Sequence, residues 1–215
     1  MVPSSSGPTL VATSVARVCR SRPYAVVSGL RRELRTKGQA LSENEPANIE
    51  TSLHSDDGVA VVRISAHVDA AIDDVWLALT EPARLARWFG NVTGELHAGG
   101  EFTAFVLASE WDGSGRINTC VPPQSLSVTM WEEEGVEHVA SAQLTADGSQ
   151  TILELVVRGV PMEVLWAYGA GWHVHVEDLG AHLSGHDRVD GTDGDGRFQE
   201  LEPHYRAMPI SPLPR

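Results

Sequence analysis

The chain has 215 residues, 42% of them hydrophobic, enough for one domain of ordinary size with a real core and tails. Its formal net charge of −13 is unevenly spread: residues 1–41 carry seven basic side chains against the single acid Glu33, which leaves the remainder at −19. An acidic main body repels nucleic-acid phosphates and anionic membrane surfaces, so nucleic-acid binding is excluded for it. No stretch reaches the roughly 18 apolar residues of a membrane-spanning helix.

Residues 1–57 show no sustained period. Pro3, Pro8, Pro23 and Pro46 interrupt any long element, and Ser42–Asp57 is polar and acidic. The segment reads as a disordered basic extension followed by a linker. Its Arg- and Ser-rich, acid-poor character also suits an organellar targeting segment or an over-long start-site assignment, and the basic arm lacks the interleaved aromatics of a base-stacking surface. Cys19 and Cys120 fit no zinc or CxxC spacing. With Cys19 in the extension, the expectation is a reduced, cytoplasmic setting.

Periodicity begins at Val59. Ala60, Val62, Ile64, Ala66 and Val68 alternate with Val61, Arg63, Ser65 and His67, the pattern of a strand with one buried face. Asp69 and Asp73 signal the start of a helix carrying Val75, Trp76 and Leu79. Pro82 then opens a second short helix that runs through Leu85 to Trp88-Phe89 and stops at Gly90. Six strands follow, predicted at Asn91–His97, Glu101–Ser109, Trp111–Val121, Ser125–Trp131, Val136–Thr145 and Gln150–Arg158. The acidic Glu132-Glu133-Glu134-Gly135 and the hairpin signal Ala146-Asp147-Gly148-Ser149 mark two of the turns.

The last long element is a helix over about Val164–Leu183, with Leu165, Tyr168, Trp172, Val176, Leu179 and Leu183 on one stripe and Gly185 as its stop. Gly169 and Gly171 each weaken it by roughly 1 kcal/mol relative to alanine and mark a kink or a close approach. Residues 186–196 look like a calcium loop, but no register puts oxygen ligands and glycine at the required positions, so an acidic linker is expected. Phe198–Met208 reads as a short terminal helix docking back by Phe198, Leu201 and Tyr205. Six strands in succession with short turns make an antiparallel meander, and the closing amphipathic helix is long enough to cover its apolar face. The predicted division is 1–57 extension and linker, 58–185 folded domain, and 186–215 acidic linker with a short C-terminal segment.

Several segments, in this order and spacing, resemble a known family. They are Val75-Trp76-Leu77-Ala78-Leu79-Thr80-Glu81-Pro82, Leu85-Ala86-Arg87-Trp88-Phe89-Gly90, Gly99-Gly100-Glu101-Phe102 and Gly113-Ser114-Gly115-Arg116-Ile117. Pro122-Pro123 with a strand ending in Trp131, Tyr168-Gly169-Ala170-Gly171-Trp172-His173 and Leu179-Gly180-Ala181-His182-Leu183 complete the set. Together they resemble the bacterial activator-of-heat-shock-ATPase-like branch of the SRPBCC (START-like, polyketide-cyclase-like) superfamily, over about Val59 to Gly185. The resemblance implies an α+β helix-grip fold. An antiparallel curved sheet of about seven strands wraps a long C-terminal helix, two short helices follow the first strand, and an apolar cavity lies between sheet and helix. It implies no particular reaction, because the superfamily hosts carriers, sensors, cyclases and chaperone regulators. The eukaryotic chaperone activators carry a separate N-terminal domain that residues 1–57 do not replace.

The residues expected to line the implied cavity are Trp88, Phe102, Val106, Trp111, Met130, His138, Leu155, Tyr168, Trp172 and Val176. The aromatics suit an apolar or aromatic ligand, and the reading that competes is plain core packing. General acid or base candidates are His138, Glu110, Asp112 and Glu154, with His138 on the apolar strand face of Ala140, Ala142 and Leu144. His175, Asp178 and His182 share a helix face at spacings of three and four, as a zinc site needs, but that face lies off the apolar stripe and is expected to be wet. Arg116 pairs a carboxylate on the neighbouring strand or a ligand acid. No metal, cofactor, phosphate loop or nucleophile–base pair is expected.

The first reading is therefore non-catalytic binding of a small hydrophobic or aromatic molecule between sheet and helix, with no nucleic-acid partner and no membrane insertion. The alternatives are a cyclase- or dehydratase-type enzyme on an aromatic or polyketide-like substrate, with His138 as base, and a chaperone-regulating or other protein-interaction module. A homodimer and a chaperone partner are left open.

Overall fold

A computed structural model of the chain describes residues 48–131, 137–188 and 196–213. The basic arm, the acidic turn before His138 and most of the segment first weighed as a calcium loop lie outside the described residues, and so does Cys19.

The chain enters as a hairpin, β1 (Ile49–Asp56) and β2 (Val59–Val68), closed by Asp57-Gly58 with φ of 49° and 84°. An Asp-Gly pair is the turn whose two positive φ values match the twist of a two-residue hairpin. This corrects the reading of Ser42–Asp57 as linker: its second half is a strand, and Leu53 on it is buried.

α1 (Ile72–Thr80) follows. Ala71 caps it through its backbone alone, while Asp73 and Asp74 in the first turn sit favourably at the positive end of the helix dipole. Glu81 leaves the helix because the residue before proline is driven to extended backbone. Pro82 then opens α2 (Pro82–Trp88). Trp76 is fully buried, and the Trp88 indole N–H donates to the Ala78 carbonyl at 3.1 Å, which satisfies the polar end of an otherwise apolar plug.

The meander is β3 (Gly90–Gly94), β4 (Glu101–Val106), β5 (Asp112–Val121), β6 (Ser125–Trp131), β7 (His138–Asp147) and β8 (Gln150–Val160), every neighbour antiparallel. β4 is cleanly alternating, with Phe102, Ala104 and Val106 inward and Phe105 outward, although its sequence is apolar on both faces. β2 pairs with β8, so the sheet order is β3-β4-β5-β6-β7-β8-β2-β1-β9. β9 (Ile210–Pro212) runs parallel to β1 and covers that edge. Among the described residues the α+β helix-grip architecture thus has nine strands, two more than the sequence indicated, both added beyond β2.

α3 (Leu165–Leu183) lies on the sheet, and α4 (Gly196–Ala207) packs on α3. Gly169 is where they meet: a Cβ there would stand 2.8 Å from the Tyr205 ring and 3.0 Å from Leu53. Gly171, two residues on, faces open space. Opposite outcomes follow for one chemical change. Gly171→Ala is expected to raise stability by about 0.5–1 kcal/mol through lower backbone entropy in the unfolded chain. Gly169→Ala is expected to lower it by about 1 kcal/mol, because overpacking against a buried ring outweighs the same gain. Urea denaturation of the two variants checks both signs.

Candidate functional site

Between the sheet and α3 is a cavity of about 600 Å³. α3 contributes Tyr168, Gly171, Trp172 and His175, the strands contribute Val106, Met130 and His138, and Phe89 and Phe198 come from the end of α2 and from α4. The β4–β5 connection brings Ser109, Glu110, Trp111 and Asp112 to the wall. A second space of about 130 Å³, almost wholly apolar, lies deeper among Leu79, Leu85, Trp88, Phe102, Ile117 and Leu155. Phe89, Met130 and Trp172 belong to the walls of both.

Of the residues expected at the cavity, Val106, Trp111, Met130, His138, Tyr168 and Trp172 line the larger space. Trp88, Phe102 and Leu155 line the smaller one together with Met130 and Trp172. Val176 is a correction: it lines neither, being turned into the closed core. Glu110 and Asp112 are exposed on the cavity wall, Glu154 is exposed elsewhere, and Arg116 is exposed directly across from Glu101 on β4, away from both spaces.

Local sequence explains how the aromatic wall is seated. Gly113 and Gly115 on β5 have no side chain because the rings of Trp111 and Phe102 lie across them; a Cβ at either glycine would overlap the ring. Glu110 holds a φ of 51°, uncommon for a residue with a side chain, and turns the chain sharply between β4 and β5. His138 is buried, and its ring stands edge-on to Tyr168 with centroids 5.4 Å apart.

The face of α3 read as wet is not wet. No residue from Leu165 to Leu183 is exposed, because the sheet, α1, α2 and α4 enclose the helix. His175 is 7% exposed and forms part of the cavity wall, with its ring 5.2 Å from Phe89 and 5.5 Å from Trp172. Its Nδ1 is buried with no hydrogen-bond partner. Burial, and then the charge of Arg188, push its pKa down to about 4, so the imidazole is neutral at physiological pH. Asp178, one turn on, is fully buried and accepts from Arg188 Nε at 3.1 Å. His182 accepts from Arg84 Nε at 3.3 Å, and burial followed by Arg84 and Arg87 lowers its pKa.

α4 is fixed by a polar seam that sequence reading missed. Arg197 grips Glu177 at 2.7 and 2.9 Å, and His173 joins Glu177 at 3.3 Å and the Tyr205 hydroxyl at 2.7 Å. An imidazole with Nε2–H toward Glu177 and Nδ1 accepting the Tyr205 O–H satisfies all three groups. Burial works to raise the Glu177 pKa, but the bonds from Arg197 and His173 outweigh it and hold the carboxyl at about 2. Burial pushes the Tyr205 phenol up to about 12. Arg206 stacks over Trp166 at 3.5 Å, and Trp166 in turn packs on Phe198, so the seam also holds a cavity-wall residue in place.

Solved structures share this fold. The crystal structure of CalU16 from Micromonospora echinospora superposes with a TM-score of 0.61 at 25% identity, covering 75% of this chain and 97% of that one. Its solution structure gives the same TM-score over 81% of this chain and 97% of its own. DynU16, described as a putative protein in the dynemicin biosynthetic locus, matches in fold with a TM-score of 0.54 at 24% identity, over 58% of this chain and 47% of that one. A comparison with curated proteins finds no match. No helix among the described residues is long and apolar enough to cross a membrane. The family model described as activator of Hsp90 ATPase homolog 1-like protein matches residues 69–184, from the end of β2 to the end of α3. That is more than half of the chain, which therefore belongs to the activator of Hsp90 ATPase homolog 1-like family.

Proposed function

We propose that the domain binds a small hydrophobic or aromatic molecule in the space between the sheet and α3. The observation that carries this reading is the cavity itself. Its volume of about 600 Å³ falls within the roughly 300–1,000 Å³ usual for small-molecule sites. Phe89, Trp111, Tyr168 and Trp172 give its wall large apolar area at low entropic cost, and His138 and His175 add a few polar atoms that fix orientation. A plug of packed core would leave no such space.

Gly171 supplies the test. A Cβ placed there meets nothing within 4 Å, and the residue lies in the cavity wall. Gly171→Phe is expected to obstruct the cavity while leaving the melting temperature at or above that of the parent. Titration with the uncharged fluorophore N-phenyl-1-naphthylamine is expected to show binding to the parent and at least about tenfold weaker binding to the variant, a change of 1.4 kcal/mol or more. Equal binding by both proteins would place the fluorophore elsewhere and remove the reading. Mass spectrometry of small molecules released from the purified parent, absent from Gly171→Phe, is the matching test for the natural ligand.

A catalytic reading has one observation in its favour: two imidazoles, His138 and His175, line the same space. If a released ligand is converted on incubation with the protein, His138→Gln and His175→Gln are expected to abolish the conversion before they abolish binding. Unchanged conversion in both would leave binding alone.

A further inference from the structure

We infer that this cavity takes uncharged aromatic molecules and turns anions away, so that carboxylates, sulfonates and phosphates of otherwise fitting shape are poor ligands. The inference rests on the reading of the cavity as a ligand site and adds the charge class of what enters.

Three observations carry it. First, the described wall contains no lysine or arginine; its ionisable side chains are Glu110, Asp112, His138 and His175, with Tyr168 beside them. Second, Glu110 and Asp112 are both exposed where the wall meets solvent, on either side of Trp111. Between them, the Trp111 ring lies across Gly113 at the start of β5. Third, His175 is more than nine-tenths buried in the wall, with Nδ1 lacking any hydrogen-bond partner, and its burial keeps the ring neutral.

The cation whose charge acts on that ring is Arg188. It pairs with the fully buried Asp178 at 3.1 Å and is not part of the wall. An anionic ligand therefore meets a penalty at either depth. If its charge goes inside, it is desolvated against aromatic rings and neutral imidazole with no positive partner. If its charge stays at the mouth, it lies beside two carboxylates. An uncharged aromatic molecule meets neither penalty and can accept or donate a hydrogen bond at an imidazole.

A matched pair of probes tests this. N-phenyl-1-naphthylamine and 8-anilinonaphthalene-1-sulfonate share one aromatic skeleton and differ by a sulfonate. The full chain at low ionic strength and neutral pH is expected to bind the uncharged probe at least about tenfold more tightly. In the double variant Glu110→Gln with Asp112→Asn, sulfonate binding is expected to strengthen by roughly fivefold relative to that of the uncharged probe. Added salt is expected to narrow the gap in the parent and not in the variant. Equal affinity of the parent for the two probes overturns the inference and leaves the binding reading standing. So does a sulfonate affinity untouched by the double variant. Failure of the parent to bind either probe overturns both.

Discussion

Replacing Arg188 with alanine is expected to lower the unfolding free energy by about 3–5 kcal/mol, the usual cost of removing one member of a buried ion pair. Asp178 on α3 is wholly buried, and Arg188 Nε is 3.1 Å from it, beyond the end of the helix. Without the guanidinium, a carboxylate inside the fold keeps its desolvation cost and loses the 3.1 Å charged bond that helps to offset it. Such a loss is a large part of the roughly 5–15 kcal/mol that holds a domain together. The pair is not thereby a net source of stability. Arg188 Nη2 is buried with no hydrogen-bond partner, so the arginine is itself incompletely satisfied. The double variant Asp178→Leu with Arg188→Met is accordingly expected to recover most of the loss, since well-packed apolar substitutes for a buried pair are often neutral or better. Urea denaturation of the single and double variants decides it. A double variant as unstable as Arg188→Ala would show that the pair stabilises beyond its own desolvation.

The same pair shows where sequence reasoning stopped. Strands β2 and β4–β8, and helices α1, α2 and α3, were legible because each presents one apolar face with the right period to one layer of the core. α3 is different in kind. It is packed on one side by the sheet and on others by α1, α2 and α4, so a single stripe describes only part of its buried surface. Assigning everything off the stripe to solvent put His175 and Asp178 in water, although both are buried. The signal that was available is Gly169 itself: a glycine inside the helix marked a close approach, and Tyr205 is what packs there.

β1 was missed for a related reason. Its residues are largely polar, and only Leu53 and His54 are buried, because it lies near the sheet edge and is finished by three residues of β9 from the far end of the chain. Local pattern cannot report a partner 150 residues away; the Asp57-Gly58 turn was the one local clue. For the cavity, the residue types on the strands and on α3 foretold which side chains face inward. That those faces stand apart instead of closing on one another is a property of sheet and helix together. Val176 illustrates the difference: it belongs to the apolar stripe and yet touches the packed core and neither space.

Acid is expected to unfold this protein in two steps of opposite chemical origin, the first set by His175. In the unfolded chain an imidazole titrates near 6.5, whereas burial and Arg188 hold that of the folded chain at about 4. Between those values the unfolded state binds a proton that the folded state refuses, so stability rises with pH through this window and is lost as pH falls from about 6.5 to about 4. A difference of that size is worth about 3 kcal/mol, with a slope near 1.4 kcal/mol per pH unit in the middle of the window. His182, lowered by burial and by Arg84 and Arg87, adds to the same window with the same sign. Glu177 acts lower. Its folded value of about 2 lies below the ordinary 4.5, so its contribution is present above pH 4.5 and disappears as pH falls toward 2. His175→Phe keeps an aromatic ring against Phe89 and Trp172 and cannot take up a proton. Urea denaturation at pH 7, 6, 5 and 4 is expected to show most of the slope gone in His175→Phe. A parent slope that survives the substitution would mean that His175 titrates near its ordinary value, and that the cavity wall is wetter than its packing against Phe89 and Trp172 implies.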